Sequence, residues 1–330
     1  MKAVVRRGYG SAEVLAVDDV EEPVVRDDDV LVRVRAASLN AYDVHVTRGK
    51  PYFMRLMTGL RRPRSTRLGQ DLAGVVEAVG RNVTTFRPGD EVFGSIADDP
   101  ALEIDRAFAE LARVPESALV RKPASRTFEE VAAVPMAART ALQGLRDCGA
   151  LRAGHRALIN GASGGVGTFA VQIAKALGAE VTAVCSTANV ERVRELGADR
   201  VIDYTREDYA RTAERYDVVL DVACTRSIST CRALLAEGGT YVYAGAPTYG
   251  AWLGPFPRLL AMRLRSSARK KLVLVEEVAN APDLVFLSGL MESGKMRSVI
   301  DRRFALREIQ PALRHVATGH ARGKVVIDVS

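Results

Sequence analysis

Asn160-Gly161-Ala162-Ser163-Gly164-Gly165-Val166-Gly167 decides the reading of this chain. The apolar run Arg156–Asn160 before it reads as a short buried strand. After it, Val166, Phe169, Ala170, Ile173, Ala174 and Leu177 recur at helical spacing until Gly178 stops the helix. A strand, a glycine-rich turn and a helix form the arrangement that binds the pyrophosphate of a dinucleotide. Glycines let the backbone turn tightly and approach the ligand, and the helix N-terminus offers unpaired N–H donors and a partial positive charge. Against that fingerprint Ala162 stands at the first glycine position, and Gly164 and Gly167 hold the other two.

Working outward, strands are predicted at 181–185, 200–202, 216–221 and 239–244, with a helix at 190–196. Strands alternating with helices predict an α/β chain with a doubly wound parallel sheet. The second strand ends Val184-Cys185-Ser186-Thr187-Ala188-Asn189, with no acid to bond a ribose 2′-hydroxyl. Ser186, Thr187 and the nearby Arg192 suit a 2′-phosphate, so NADPH is the expected cofactor, with NADH still possible. Alternatively, Ser186 and Thr187 only cap the next helix.

The region before Thr127 reads differently. Residues 30–35 alternate as a strand, 72–79 form an apolar run, and Phe86-Arg87-Pro88-Gly89-Asp90 is a turn before a short strand at 91–93. No long amphipathic helix is predicted there. The tail alternates again, with helices at 282–292 and 307–318 and strands at 298–304 and 324–329. No internal repeat or low-complexity segment is evident.

Composition sets outer bounds. With 330 residues, 48% hydrophobic and 26% charged, the chain can bury the cores of two ordinary domains, which excludes general disorder. Charges interrupt the N-terminus too soon for a signal-peptide core, and the uncharged stretch 238–257 is broken by glycines and prolines. A soluble, cytoplasmic protein without integral membrane contact is expected. The net charge is +7, and two clusters carry much of the excess: Arg55, Arg61, Arg62, Arg64 and Arg67, then Arg263, Arg265, Arg269, Lys270 and Lys271. Such clusters can meet nucleic acid or an anionic membrane, but no nucleic-acid motif accompanies them, and both read as solvated faces. The four cysteines, Cys148, Cys185, Cys224 and Cys231, form no C-x-x-C pair and no disulfide framework, which fits a reducing compartment.

Several further stretches carry a family resemblance: Ser38-Leu39-Asn40-Ala41-Tyr42-Asp43, Gly69-Gln70-Asp71-Leu72-Ala73-Gly74, Arg87-Pro88-Gly89-Asp90, Thr140-Ala141, Leu196-Gly197-Ala198-Asp199, Ile202-Asp203-Tyr204 and Gly319 to Lys324. With the turn at Gly161 to Gly167, the whole chain resembles a medium-chain dehydrogenase/reductase of the zinc-independent quinone oxidoreductase branch. Gly294-Lys295 and Val299-Ile300-Asp301-Arg302 in the tail are similar to those of reticulon-interacting oxidoreductase-type reductases. The resemblance implies a GroES-like, mostly β catalytic domain at 1–125, completed by 279–330. It also implies an inserted Rossmann domain at 126–278, an active site in the cleft between the domains, and a homodimer.

The zinc branch of that superfamily has a cysteine where Leu39-Asn40 stand and Gly-His-Glu where Gly69-Gln70-Asp71 stand. No cysteine precedes Cys148, and the only histidines are His45, His155, His315 and His320, so no zinc site is expected. Without a Lewis acid to activate an alcohol, the better hydride acceptor is a quinone or an α,β-unsaturated carbonyl. Two alternatives remain: a metal-free ketone reductase or alcohol dehydrogenase of the same fold, and a non-catalytic NADPH-binding sensor or structural protein.

The resemblance also implies roles for single residues. Ser163, Gly164, Gly165 and Val166 hold the pyrophosphate. Ser186, Thr187, Arg192 and Tyr204 approach the 2′-phosphate, although the family often has lysine where Asn189 stands. Asn40 and Thr140 lie near the nicotinamide, faced by Gly245 and Ala246 of Gly245-Ala246-Pro247, and Lys324 and Arg322 reach the cofactor from the tail or are solvated. Asn40, Tyr42 and Asp43, with Gln70, are catalytic candidates lining the cleft. Tyr42 either donates to a developing oxyanion or is packed. The segment 51–57 is either a mobile flap over an apolar pocket or a fixed contact.

Overall fold

The computed structural model describes residues 1–96, 106–245, 252 and 254–329. In chain order the first strands are β1 Lys2–Arg6, β2 Leu15–Asp19, β3 Asp29–Leu39, β4 Asp71–Val79, β5 Glu91–Ser95, β6 Leu111–Pro115 and β7 Leu119–Arg121. Then follow β8 Arg156–Asn160, β9 Glu180–Cys185, β10 Arg200–Asp203, β11 Tyr216–Asp221, β12 Leu235–Tyr243, β13 Lys271–Leu274, β14 Ile300–Ala305 and β15 Lys324–Asp328. They fall into two compact units, one of residues Met1–Met136, Val278–Glu292 and Ser298–Ser330, the other of Ala137–Glu277 and Ser293–Arg297.

In the first unit β3 carries the clearest alternation. Val30, Val32 and Val34 are buried while Arg33 and Arg35 are exposed, as a half-buried strand requires. β3 is the hub of a sheet ordered β14-β15-β3-β4-β5-β7, with β6 also paired to β3. All these pairs are antiparallel except β14 with β15. Its core joins Val4, Val32, Leu72, Val92 and Phe108 to Leu313, Val325 and Ile327, so the tail completes a core begun near residue 4. The helix Phe128–Ala132 starts on a reciprocal cap: Glu130 N donates to Thr127 Oγ1 at 3.2 Å, and Thr127 N donates to Glu130 Oε2 at 2.9 Å. This helix packs on β3 and β4, so residues 126–136 lie with the β unit instead of opening the inserted one.

The helix Ala41–Arg48 was not expected, because its apolar residues keep no helical period. Its start is fixed instead by Asn40 N donating to the Asp43 carboxylate at 2.7 Å, and its end by Gly49 at φ 58°. The segment after it is tied down. Tyr9 donates its hydroxyl to Gly59 O at 2.6 Å, and the Arg55 guanidinium lies 4.4 Å from the Tyr9 ring and 4.8 Å from the Tyr52 ring.

The second unit holds a six-stranded sheet ordered β10-β9-β8-β11-β12-β13, parallel throughout. Counted within the unit, that is the 3-2-1-4-5-6 order of a dinucleotide-binding fold, with the order reversing between β8 and β11. Both-sided burial explains the near-continuous apolar runs of β8, β9 and β11. β13 and the helix Phe256–Arg265 before it were not anticipated, because arginines and lysines crowd that stretch.

Candidate functional site

Ligands of such sheets bind beyond the carboxyl ends of the strands, at the point where strand order reverses. Here that point is the turn after β8. Gly161 turns the chain at φ 84°, and the N–H groups of Gly161 and Ala162 both donate to Val184 O, at 3.2 and 3.0 Å. The helix Gly165–Ala176 then starts from Gly164. A Cβ on Gly167 would stand 2.1 Å from Gly161 O, so only glycine lets this helix sit so close to the turn. Ser163, Gly164, Gly165 and Val166 are all half-buried and open to a ligand, and the first-turn N–H groups lack intrahelical acceptors. The cradle fits a pyrophosphate.

At the end of β9, Asn189 donates to Ser186 Oγ at 3.0 Å, leaving the Ser186 hydroxyl proton free to donate. Asn189 is buried and its Oδ1 has no hydrogen-bond partner among the described residues. Tyr204 N donates to Cys185 O at 3.0 Å, which brings the exposed Tyr204 beside Ser186. Thr187 is engaged differently: its hydroxyl donates to Asp203 Oδ2 at 2.6 Å. Asp203, which ends the neighbouring strand β10, is thus the carboxylate that meets the end of β9. The Thr187 hydrogen bond, with those from Thr205, holds its carboxyl below the usual range. Arg192 lies half-buried on the helix Val190–Glu195.

Deeper in this unit, Asp221 at the end of β11 is buried in a polar network. Its Oδ1 accepts from Asn160 Nδ2 at 2.8 Å and Cys224 N at 2.7 Å, and its Oδ2 accepts from Tyr241 at 2.8 Å. Arg258 approaches Oδ2 to 3.5 Å and donates to the Tyr241 oxygen at 2.7 Å. A Cβ on Gly245 would meet Val222 O at 2.0 Å, so this strand-end glycine packs against the same loop. Ala246 and Pro247 lie outside the described residues. Thr140 lies on the helix Pro135–Gln143.

The first unit builds its own polar centre. Lys324, at the start of β15, and Asp71, at the start of β4, are buried with Nζ and Oδ2 3.7 Å apart. Lys324 Nζ donates to Asn40 Oδ1 at 2.5 Å, and Asn40 Nδ2 donates to Asp71 Oδ2 at 2.9 Å. The Asn40 amide is therefore oriented from both ends. Asp71 also accepts from Ser38 Oγ at 3.2 Å and from Met136 N at 3.1 Å. Burial lowers the pKa of Lys324, against the opposing pull of Asp71 and Asp43. Beside it Gln70 is buried with Oε1 lacking a partner among the described residues, an acceptor suited to a ligand's N–H or O–H. Tyr42 packs against the core.

Asp43 is buried, its carboxylate spent on Asn40 N. Burial pushes its pKa up from 3.8 to about 7, the Asn40 hydrogen bond opposing and the Asp71 charge adding. A carboxyl with a raised folded pKa stabilises the fold fully below its unfolded pKa, and that contribution is lost as pH rises through the folded one. Thermal melts should therefore fall between pH 3.8 and about 7. The Asp43→Asn variant, whose amide oxygen still accepts from Asn40 N, should lack this component; an unchanged slope would remove Asp43 as its source.

The sequence brought Asn40, Asp43 and Lys324 forward as candidates, and the structure places them in one cluster. Asp71 and Ser38 were missed as members, although an acid opening an apolar strand was a usable signal. Asp203 and Asp221 were missed too; each ends a strand of the parallel sheet, where a charge among apolar residues stands out.

Two family models match: the alcohol dehydrogenase GroES-like domain over residues 26–124, and zinc-binding dehydrogenase over residues 196–327. The chain is 34% identical to mouse mitochondrial NAD(P)H oxidoreductase RTN4IP1, covering 100% of this chain and 89% of that protein. It is 33% identical to tomato 2-methylene-furan-3-one reductase, covering 99% and 79%. The quinone oxidoreductase of Coxiella burnetii superposes with a TM-score of 0.87 at 28% identity, covering 100% and 99%. The chain belongs to the quinone oxidoreductase branch of the medium-chain dehydrogenase/reductases. As a member of that superfamily it is an oxidoreductase that uses a nicotinamide cofactor. Leu39-Asn40 and Gln70-Asp71, which stand where the resemblance puts the zinc branch's ligands, are all buried. Among the described residues no group of three or more His, Cys, Asp or Glu is placed to hold a metal ion, and no helix is long and apolar enough to cross a membrane.

Proposed function

We propose that this chain is a zinc-independent, NADPH-dependent reductase of quinones or α,β-unsaturated carbonyls. The observation that carries this reading is the Asn40 amide held between Lys324 and Asp71. A neutral donor and acceptor, set by a buried ammonium, stands where a metal-dependent relative needs thiolate and imidazole. The local donors do not fit zinc: Leu39 has none, Asn40 and Gln70 offer neutral amides, and Asp71 already accepts from Ser38, Asn40 and Met136.

When bound, NADPH supplies the hydride. The chain's own residues bind and orient. The first-turn N–H groups after Gly164 take the pyrophosphate, Ser186 and Tyr204 serve the 2′-phosphate, Asn40 offers an amide of fixed orientation, and Gln70 an acceptor. A quinone or enone suits such a site because its carbonyl oxygens accept the arriving electron pair without a Lewis acid. The proton can come from water. The names of the tomato reductase and of the Arabidopsis NADPH-dependent alkenal/one oxidoreductase support the same substrate class.

Titration by nicotinamide fluorescence tests the cofactor. NADPH should bind at least about tenfold more tightly than NADH, a difference near 1.4 kcal/mol. Equal binding would mean that Asp203, 2.6 Å from the Thr187 hydroxyl, makes the pocket one for a ribose hydroxyl. NADPH consumption with a quinone and enone panel, but not with simple ketones, tests the substrate class. The same reading takes the chain as a cytoplasmic homodimer, supported by four free cysteines and by β13 ending its sheet.

A further inference from the structure

The helix Phe256–Arg265 carries apolar residues on two faces. One face is accounted for. Met262 is buried, Leu259 packs against the core of the second unit, and Arg258 is drawn inward to Asp221, Tyr241 and Arg226 O. The other face is Phe256, Leu260 and Leu264, at i, i+4 and i+8, with Leu260 58% and Leu264 73% exposed. Trp252, the chain's single tryptophan, is 78% exposed four residues earlier. An open apolar recess runs along Phe256, Pro257, Leu260 and Arg263.

Charge decides what covers this face. Arg263 and Arg265 are exposed on the same helix, and Arg269 is exposed just beyond it. Among these, Arg269 has an acidic neighbour, Glu237 at 3.5 Å, and that pair is largely exposed. A leucine and aromatic stripe bordered by arginines has the composition of a helix that lies in a membrane interface, its apolar side among acyl chains and its cations among anionic headgroups. A second copy of this chain set across a two-fold axis would bring the same cations face to face, which disfavours it as the occupant.

We infer that the face of Phe256, Leu260 and Leu264, with Arg263, Arg265 and Arg269, docks the chain reversibly on a membrane surface rich in anionic phospholipid. The docking is peripheral. It is independent of the reductase reading, since no residue of the cofactor cradle takes part.

The test is co-sedimentation of the intact chain with phosphatidylcholine vesicles and with vesicles that also contain phosphatidylglycerol, while Trp252 emission is followed. Binding should occur only with the anionic vesicles, shift Trp252 emission to the blue and weaken as salt rises. Arg263→Gln and Arg265→Gln should each weaken binding about fivefold. The double variant Leu260→Gln, Leu264→Gln should abolish the blue shift while NADPH affinity and thermal unfolding stay unchanged, which separates lost docking from lost folding. Equal binding to both vesicles, no binding to either, or binding indifferent to these substitutions overturns the proposal. So does a chain that ignores vesicles and passes from dimer to monomer in the leucine double variant, because the face would then join two copies.

Discussion

Lys324→Met should destabilise the chain by about 3–5 kcal/mol and remove most of its turnover, because it leaves the buried Asp71 carboxylate without its cation. Asp71 is fully buried and Lys324 nearly so, so water cannot replace the lost ammonium. The loss also frees Asn40. Its Oδ1 accepts from Lys324 and its Nδ2 donates to Asp71, so the amide has one orientation only while both partners are charged. The double variant Lys324→Met, Asp71→Asn separates these consequences. With the carboxylate neutralised, most of the stability should return, since an amide oxygen can still accept from Met136 N. Its amide nitrogen would then face Asn40 Nδ2, so Asn40 must turn over, and turnover should stay low although the fold is restored. Urea denaturation reads the first outcome, and NADPH oxidation with a quinone reads the second. Full activity in the double variant would show that the orientation of Asn40 does not matter to the reaction.

Arg258→Met should cost a similar amount, about 3–5 kcal/mol, in the other unit. Asp221 is buried with Arg258 at 3.5 Å, and the guanidinium also caps the Tyr241 oxygen and Arg226 O. Without Arg258 the carboxylate keeps its hydrogen bonds from Asn160, Cys224 N and Tyr241 but loses the guanidinium that pairs with it. Adding Asp221→Asn should recover most of the loss, because the new amide can donate to the Tyr241 oxygen that Arg258 has vacated. Circular dichroism through a urea titration measures both variants. A shift in the single variant below about 1 kcal/mol, the size of an ordinary exposed pair, would mean that the charge is not needed there.

What could be read from the sequence follows from how local its physical cause is. The turn at Gly161 to Gly167 was legible because the steric demand on Gly167 comes from Gly161, six residues away. β8 and β11 were legible because a strand covered on both faces must be apolar throughout. The helix Ala41–Arg48 was not, since a capping hydrogen bond makes it and not a hydrophobic period. The acid that binds the Thr187 hydroxyl was hidden for another reason. β9 itself ends without an acid, and the carboxylate that meets Thr187 is Asp203 on the neighbouring strand, brought alongside by the pairing of β9 with β10. Asn40, Asp71 and Lys324 each lay in a quoted motif, but only the pairing of β3 with β4 and β15 makes them a single site.

That pairing also orders the protein's birth. β3 takes its neighbour β15 from nearly three hundred residues further on, with Leu39 opposite Val325. While the chain is being synthesised, the whole parallel-sheet unit emerges and can fold before β15 exists. Until then residues 36–39 of β3 offer a bare edge beyond the stretch taken by β6, and Asp71 waits without its ammonium. The nascent first unit therefore spends most of translation open along that short stretch, the interval in which a chaperone has the most to protect.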